Sequence, residues 1–231
     1  IVVNEDVKAA IRECFDLGPL HNPANLMGIE ACEKVCPGKP NVAVFDTTFG
    51  MGMDEKSYLY AIPHEYFEKY GVRRYGFHGT SHRYVSHRCC ELLGKPDGEG
   101  TKIITLHLGN GSSIAALRDG HVVDTTMGLT PLDGFMMGTR SGAIDPSVVT
   151  FIMEKEHFSP SEMDVVLNKK SGMLGMTGIS SDYRDVSAAA EAGNQDAIHC
   201  LEAYAYRIIK YIGSYIAAMG GVDVITFTAG L

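Results

Sequence analysis

No apolar stretch in the 231 residues approaches the roughly 18 consecutive apolar residues that a membrane-crossing helix needs. The opening IVVNEDV lacks the basic segment of a secretory leader. A soluble chain with no membrane partner is the expectation. Cysteine is sparse: the six sit at positions 14, 32, 36, 89, 90 and 200, in neither a dense disulfide framework nor the paired C-x-x-C arrangement that holds zinc. Free thiols in a reducing cytoplasm are expected. Excess positive charge is also missing. With a formal net charge of −8, a polyphosphate backbone is repelled overall, which argues against nucleic acid as a partner and leaves room for a small anion in a locally basic pocket. There is no internal repeat, no low-complexity segment and no glycine loop ending in Lys-Ser/Thr of the Walker A kind.

What is present is an α/β alternation with 45% hydrophobic residues, enough for a sizeable core. Asn4 caps a helix expected over residues 5–17, and Asn22-Pro23 opens another reaching about Val35. His21, in the turn ahead of that second helix, reads on its own as a buried structural residue. NVAVFD (residues 41–46) is a short apolar run that suits a buried strand. Ligands bind beyond the carboxyl ends of strands in open α/β sheets, which makes Asp46 a candidate for chemistry, with a turn aspartate as the competing reading. A loop or hairpin over 49–63 and a short helix at 64–70 lead to RRYGFHGTSHRYVSH, residues 73–87, which holds three arginines and three histidines. Thr80 or Ser81 is the expected N-cap of a helix over 81–93, and a positively poised helix start favours an anion. His78 and His82 stand four apart, but a cap at Thr80 would break their common face, so His82 and His87 read as ordinary helix residues.

The next block describes a sheet. KIITLHL and SIAALR read as strands flanking the tight turn GNGSS, and Asp119-Gly120 makes a two-residue hairpin into HVVDTT. A glycine turn with serines suits phosphate held by main-chain N–H groups. MGLTPLDGFMMGTRSG, residues 127–142, is a long aperiodic stretch whose one cation, Arg140, is a natural phosphate fork. Asp145-Pro146 and Ser159-x-x-Glu162 start two helices, the second ending near Gly172. Asp182 caps a third, and Arg184 in its first turn opposes the helix dipole, a hint of a ligand role. An apolar-faced helix over 195–218 suits a core or subunit interface, and VDVITFT reads as a buried strand before Ala229-Gly230.

In that order and at these spacings, VFDTTFG, RRYGFHGTSHRYVS, HLGNGSS, TPLDGFMMGTRSGAIDP and ITFTAG resemble the acetate kinase family. The resemblance covers the middle of that family's longer sequence. It implies a ribonuclease H-like α/β fold of two domains, of the actin, sugar kinase and Hsp70 superfamily, incomplete at both ends. Residues 1–48 would then be part of an N-terminal acyl-substrate domain, and 49–231 most of a C-terminal nucleotide-binding and dimerisation domain. It implies a cytoplasmic homodimer that transfers the ATP γ-phosphoryl group reversibly to acetate, with Mg2+ and with ATP/ADP as co-substrate. By position, Asp46, His78 and Arg140 are the implied catalytic residues. His21, Leu20, Phe77 and Pro131 surround the acetate. His107, Leu108, Gly109, Asn110 and Gly111 hold nucleotide phosphates, with Asp182, Tyr183, Arg184 and Gly230 on the adenosine side.

Some of the family's parts have no counterpart in these residues: an N-terminal hairpin with a metal-linked asparagine and a phosphate-contacting lysine, a substrate-binding arginine, and a C-terminal metal-binding glutamate. No complete metal site is therefore expected, with Asp46 as a candidate contact to the ion through water. The isolated piece is expected to be inactive and poorly folded because its strand edges stay open. Alternatives are a propionate or butyrate kinase of the same family, an inactive nucleotide-binding fragment, and, last, a histidine-based metallohydrolase.

Overall fold

A computed structural model of the chain describes residues 1–15, 18 and 21–230. It divides into two compact units, Ile1–Asp46 and Thr47–Leu231. In the first, helix α1 (Glu5–Glu13) is capped by the Asn4 side chain, which accepts from the Val7 N–H at 2.8 Å. Helix α2 (Asn22–Val35) starts on Pro23. Two ion pairs tie the helices together, Lys8 to Glu33 at 3.0 Å and Arg12 to Glu30 at 2.7 Å. The apolar run 41–46 is not a buried strand: Val42 forms a lone antiparallel bridge with Val2, and Val42, Val44 and Phe45 are exposed. No second strand flanks that bridge among the described residues, so the run has nothing to be buried against.

The second unit is built on a mixed sheet. A 3₁₀ turn (Thr48–Gly52) and the short helices α3 (Glu55–Tyr58) and α4 (Glu65–Tyr70, closed by Gly71 at φ 66°) precede helix α5 (Gly79–Leu92). Strands β1 (Lys102–Leu108), β2 (Ser112–Arg118) and β3 (His121–Thr125) follow as an antiparallel meander. The β2–β3 turn places Asp119 at φ 53° and Gly120 at φ 76°, the left-handed pair that a two-residue hairpin requires. Helices α6 (Pro146–Glu156), α7 (Pro160–Lys169), α8 (Gly172–Thr177), α9 (Tyr183–Glu191) and α10 (Gln195–Met219) lead to strand β4 (Val224–Thr228), which pairs parallel to β1. The strand order is β3-β2-β1-β4.

Residue alternation along β1 and β2 assigns the two faces of the sheet. Ile104, Leu106, Ile114 and Ala116 pack with Met173 of α8, Val186 of α9 and the stripe Ala197, Cys200, Tyr204, Tyr215 and Met219 of α10. Ile103, Ala115 and Leu117 face the other way and pack with Cys89 and Cys90 of α5 and with Met53. A three-layer α/β unit results, with α5 on one side and α10 on the other. Two expectations fail here. β4 is not buried: it ends the sheet, and its Phe227 is 68% exposed. Helix α7 stops at Lys169 rather than near Gly172, because Gly172, at φ 64°, starts α8 instead.

Candidate active site

The basic stretch around residues 73–87 spends most of its charge inside the protein. The Arg73 guanidinium is buried over the Tyr58 ring at 3.6 Å. Arg74 donates to the carbonyls of Thr125, Thr126 and Met127 at 2.9–3.2 Å and pairs with Asp133 at 3.3 Å. Arg74 thereby fastens the chain to the end of β3, while Arg73 is held against the Tyr58 ring and donates its Nε–H to the Arg74 carbonyl at 3.1 Å. The helix start also lies earlier than expected. The N-cap is His78, at φ 57° and ψ 27°, rather than Thr80 or Ser81, and the His82 N–H donates to the His78 carbonyl at 2.9 Å. A non-glycine residue in the left-handed region is strained, and such strain gathers at functional sites.

The earlier cap returns His78 and His82 to one face, where β1 and β2 meet them. On the α5 side of the sheet, the apolar row Ile103, Ala115, Leu117 gives way toward the carboxyl end of β1 to Thr105, His107 and Ser113, with His107 directly opposite Ser113. His78 Nδ1 lies 2.8 Å from Ser113 Oγ, and the same hydroxyl lies 2.7 Å from His82 Nε2. His82 Nδ1 meets Thr105 Oγ1 at 2.7 Å. The His107 ring stacks on that of His78, with centroids 4.1 Å apart and planes 22° apart, and its Nδ1 meets Ser81 Oγ at 2.8 Å. His82 is 1% exposed. Burial first, then the neighbouring His78 and His107, push its pKa down to about 3, so it is neutral in all ordinary conditions. Reading His82 as an ordinary helix residue was therefore wrong. Its four-residue spacing from His78 was the available signal, hidden by the misplaced cap. His87, by contrast, is exposed near Glu91.

Arg140 approaches from the 127–142 segment. That stretch has no regular structure but is packed: Met127, Phe135, Met136 and Met137 are buried. Its backbone is held by bonds from Met137 N–H to the Arg140 carbonyl, Ser171 N–H to the Thr139 carbonyl and Ser141 N–H to the Leu167 carbonyl, all at 3.0 Å. Gly172 makes the turn possible, since a Cβ there would overlap the Met137 carbonyl oxygen. Gly138 likewise allows Asn110 to lie against the segment and donates its N–H to the Asn110 carbonyl at 3.2 Å. Among the described residues the half-buried Arg140 guanidinium donates to the Pro131 carbonyl, at 3.3 Å, and to Met137 Sδ, at 3.9 Å. No carboxylate pairs with it among the described residues, and burial lowers its pKa. A desolvated, under-partnered guanidinium is a site for an anion.

The two lines of approach meet at the β1–β2 turn. The position a Cβ on Gly111 would take is 3.3 Å from Arg140 Nη1 and 3.5 Å from His78 Nε2. The corresponding position on Gly109 is 3.7 Å from Ala229 Cβ, just beyond β4, so the chain leading to Gly230 adjoins the same turn. Thus His78, His107, Leu108, Gly109, Asn110, Gly111, Pro131 and Arg140 occupy one corner of the second unit, with Phe77 next to His78 in the chain.

Asp182, Tyr183 and Arg184 stand at the start of α9. The Asp182 carboxylate caps the helix and accepts from Arg184 Nη2 at 2.6 Å, and Arg184 holds its pKa at about 2. That pair offsets the dipole conflict of a first-turn arginine, so the conflict no longer points to a ligand. The Tyr183 ring packs 6.1 Å from that of Tyr204. His21 and Asp46 belong to the first unit, where both are exposed, His21 at the N-cap of α2 and Asp46 at the unit's last residue. His21 is therefore not the buried structural residue it suggests on its own. Leu20 lies outside the described residues. Among the described residues no three His, Cys, Asp or Glu side chains form a group suited to a metal ion.

The chain is similar to known proteins in sequence and in structure. A sequence profile described as the Acetokinase family matches residues 1–231. The chain is 58% identical over 231 residues to an acetate kinase of Caldicellulosiruptor saccharolyticus, covering all of this chain and 58% of that protein. Among solved structures, acetate kinase from Porphyromonas gingivalis matches with a TM-score of 0.91 at 53% identity, over 100% of this chain and 57% of that one. A propionate kinase from Francisella tularensis subsp. tularensis matches with a TM-score of 0.95 at 43% identity, over 100% of this chain and 59% of that one. The chain thus spans less than two thirds of the length of these relatives. Its mixed sheet flanked by helices is the ribonuclease H-like α/β arrangement expected from the motifs, and by sequence and structure alike the chain belongs to the acetokinase family.

Proposed function

We propose that the polypeptide carrying this chain transfers the γ-phosphoryl group of ATP in line to the carboxylate of acetate, forming acetyl phosphate and ADP, and catalyses the reverse reaction. The observation that carries this reading is the approach of Arg140 Nη1 and His78 Nε2 to one point above Gly111. Phosphoryl transfer passes through a loose transition state with charge on its equatorial oxygens, so a half-buried guanidinium and an imidazole near one position are the parts it needs. Acetate is already ionised at neutral pH, so no strong general base is required. Asp46 then orients the reactants rather than taking a proton.

The remaining roles follow from the same reading. His107 to Gly111 offer backbone N–H groups to the nucleotide phosphates, and Asp182, Tyr183, Arg184 and Gly230 lie on the adenosine side. Leu20, His21, Phe77 and Pro131 are assigned to acetate binding, residues 1–48 being part of an acyl-substrate domain and 49–231 most of a nucleotide-binding domain. Magnesium binds through one or two carboxylates, waters and substrate phosphates rather than an all-protein cage, and Asp46 would contribute to holding it through water. When bound, the ion would supply neutralising positive charge to the nucleotide phosphates. Cytoplasmic location and a homodimer belong to this reading, and the exposure of Tyr206 and Ile209 on α10 supports the latter.

The complete polypeptide is expected to form acetyl phosphate from ATP and acetate, trapped as the hydroxamate, whereas residues 1–231 alone are expected to be inactive. ATP binding without acetyl phosphate formation by the complete polypeptide would refute the reading. The similarity to a propionate kinase favours a second possibility, the longer acyl chain. One methylene is worth only about 1–3 kcal/mol, so a kcat/KM series over acetate, propionate and butyrate separates the two.

A further inference from the structure

We infer that Thr105, His82 and Ser113 form a buried relay that holds His78 as the Nε2–H tautomer, so that this histidine faces the transferring phosphoryl group as a neutral N–H donor and not as a base. The inference rests on the kinase reading for what His78 faces, but not for the relay itself. Thr105 and Ser113 are fully buried and His82 nearly so, which removes water as a partner for any of their polar atoms. The contacts form one line: Thr105 Oγ1 to His82 Nδ1 at 2.7 Å, His82 Nε2 to Ser113 Oγ at 2.7 Å, and Ser113 Oγ to His78 Nδ1 at 2.8 Å.

Hydrogen bookkeeping sets the direction of this line. A neutral imidazole carries one N–H, and each hydroxyl carries one O–H. If Thr105 donates to His82 Nδ1, then His82 Nε2–H donates to Ser113, and Ser113 donates to His78 Nδ1. Every buried donor is then used, and His78 carries its proton on Nε2. In the reverse direction, His78 Nδ1–H donates to Ser113, Ser113 to His82 Nε2, and His82 Nδ1–H to Thr105. The Thr105 hydroxyl then has no acceptor, because His82 is its one hydrogen-bond partner among the described residues. A buried O–H without an acceptor is the costly outcome, so the first direction wins. The low pKa of His82 agrees, since a protonated ring would donate at both nitrogens and break the order. The His107 ring, stacked on His78, keeps the His78 plane in place while its own Nδ1 is engaged by Ser81. In this scheme His82, Thr105 and Ser113 are positioning residues, and only His78 touches the substrate.

The test uses the complete polypeptide, with nitrogen-15 in its histidines and Thr105→Val, Thr105→Ser and Ser113→Ala variants. Thr105→Val keeps shape and volume while removing the first donor, so it probes the relay without emptying the core. We expect wild-type His78 to show a pyridine-like Nδ1 and a pyrrole-like Nε2 at neutral pH. In Thr105→Val and Ser113→Ala that signature is expected to mix with the other tautomer, with kcat lowered about tenfold and KM for ATP within about twofold, and Thr105→Ser is expected to restore both. A wild-type His78 with its proton on Nδ1, or a Thr105→Val enzyme with unchanged kcat and unchanged histidine shifts, overturns the inference. A wild-type polypeptide that makes no acetyl phosphate refutes the kinase reading instead, and the histidine shifts still decide the relay.

Discussion

The two faces of the β1–β2 sheet are made from the same two strands and have opposite uses. The face toward α10 is apolar through its centre, with Ile104, Leu106, Ile114 and Ala116 and with Leu108 continuing the row, and buried Ser112 stands opposite Leu108 at its end. The face toward α5 begins alike, with Ile103, Ala115 and Leu117, and then changes to Thr105, His107 and Ser113 near the carboxyl end of β1. Both ends of that second face are buried, so the polar end survives only because each group in it is hydrogen-bonded. Chemistry is thus introduced at one corner by exchanging three side chains, while the alternation that builds the sheet stays intact. The apolar face supplies stability, and the polar corner holds His78 and, through the turn at Gly111, faces Arg140.

Substitutions should separate the two faces. The largest effect is expected at the polar corner, where Arg140→Ala lowers kcat by about 10³-fold or more with KM for ATP changed only a few-fold. Steady-state kinetics checks this. On the apolar face, Leu106→Ala should cost about 2–5 kcal/mol of stability, read by denaturant melts, while kcat per folded molecule stays close to wild type. The buried imidazole sharpens the contrast through pH. His82 has its pKa pushed down in the folded protein, so the unfolded chain binds the extra proton. Its contribution is fully present above about pH 6.5 and is lost as the pH falls toward about 3. The slope is at most about 1.4 kcal/mol per pH unit. His78 and His107 face the same ring, so His82→Asn, compared with wild type over that window, isolates the His82 contribution. The smallest effect is expected at Arg184, which is exposed and paired to Asp182. Arg184→Ala should leave the melting temperature unchanged and raise KM for ATP only a few-fold.

Much of this was legible in the sequence, and what was missed has physical causes. Caps and turns are local chemistry, so Asn4, Asp145, the Ser159–Glu162 box, Asp182 and the Asp119-Gly120 hairpin all stand where their residue types demand. The strands β1, β2 and β3 announce themselves by composition, and the glycine turn and Arg140 by their setting. Burial depends on neighbours, and there the reading failed twice: NVAVFD and VDVITFT look alike as buried strands, but one forms a lone bridge and the other ends a sheet. The cap of α5 failed for a different reason. Preferred capping residues at 80 and 81 outweighed a histidine at 78, yet Ser81 is engaged by His107 and the chain turns through a strained His78. That displacement of two residues concealed His82 and with it the support of the site.

The central claim is that His78 and Arg140 act on one group, and a double-mutant cycle in kcat tests it most directly. With His78→Ala, Arg140→Ala and the pair in the complete polypeptide, groups that serve one transferring phosphoryl lose strongly non-additive amounts. The double variant should then be little slower than the slower single variant. Losses that multiply would mean that the two side chains act independently and would contradict the account.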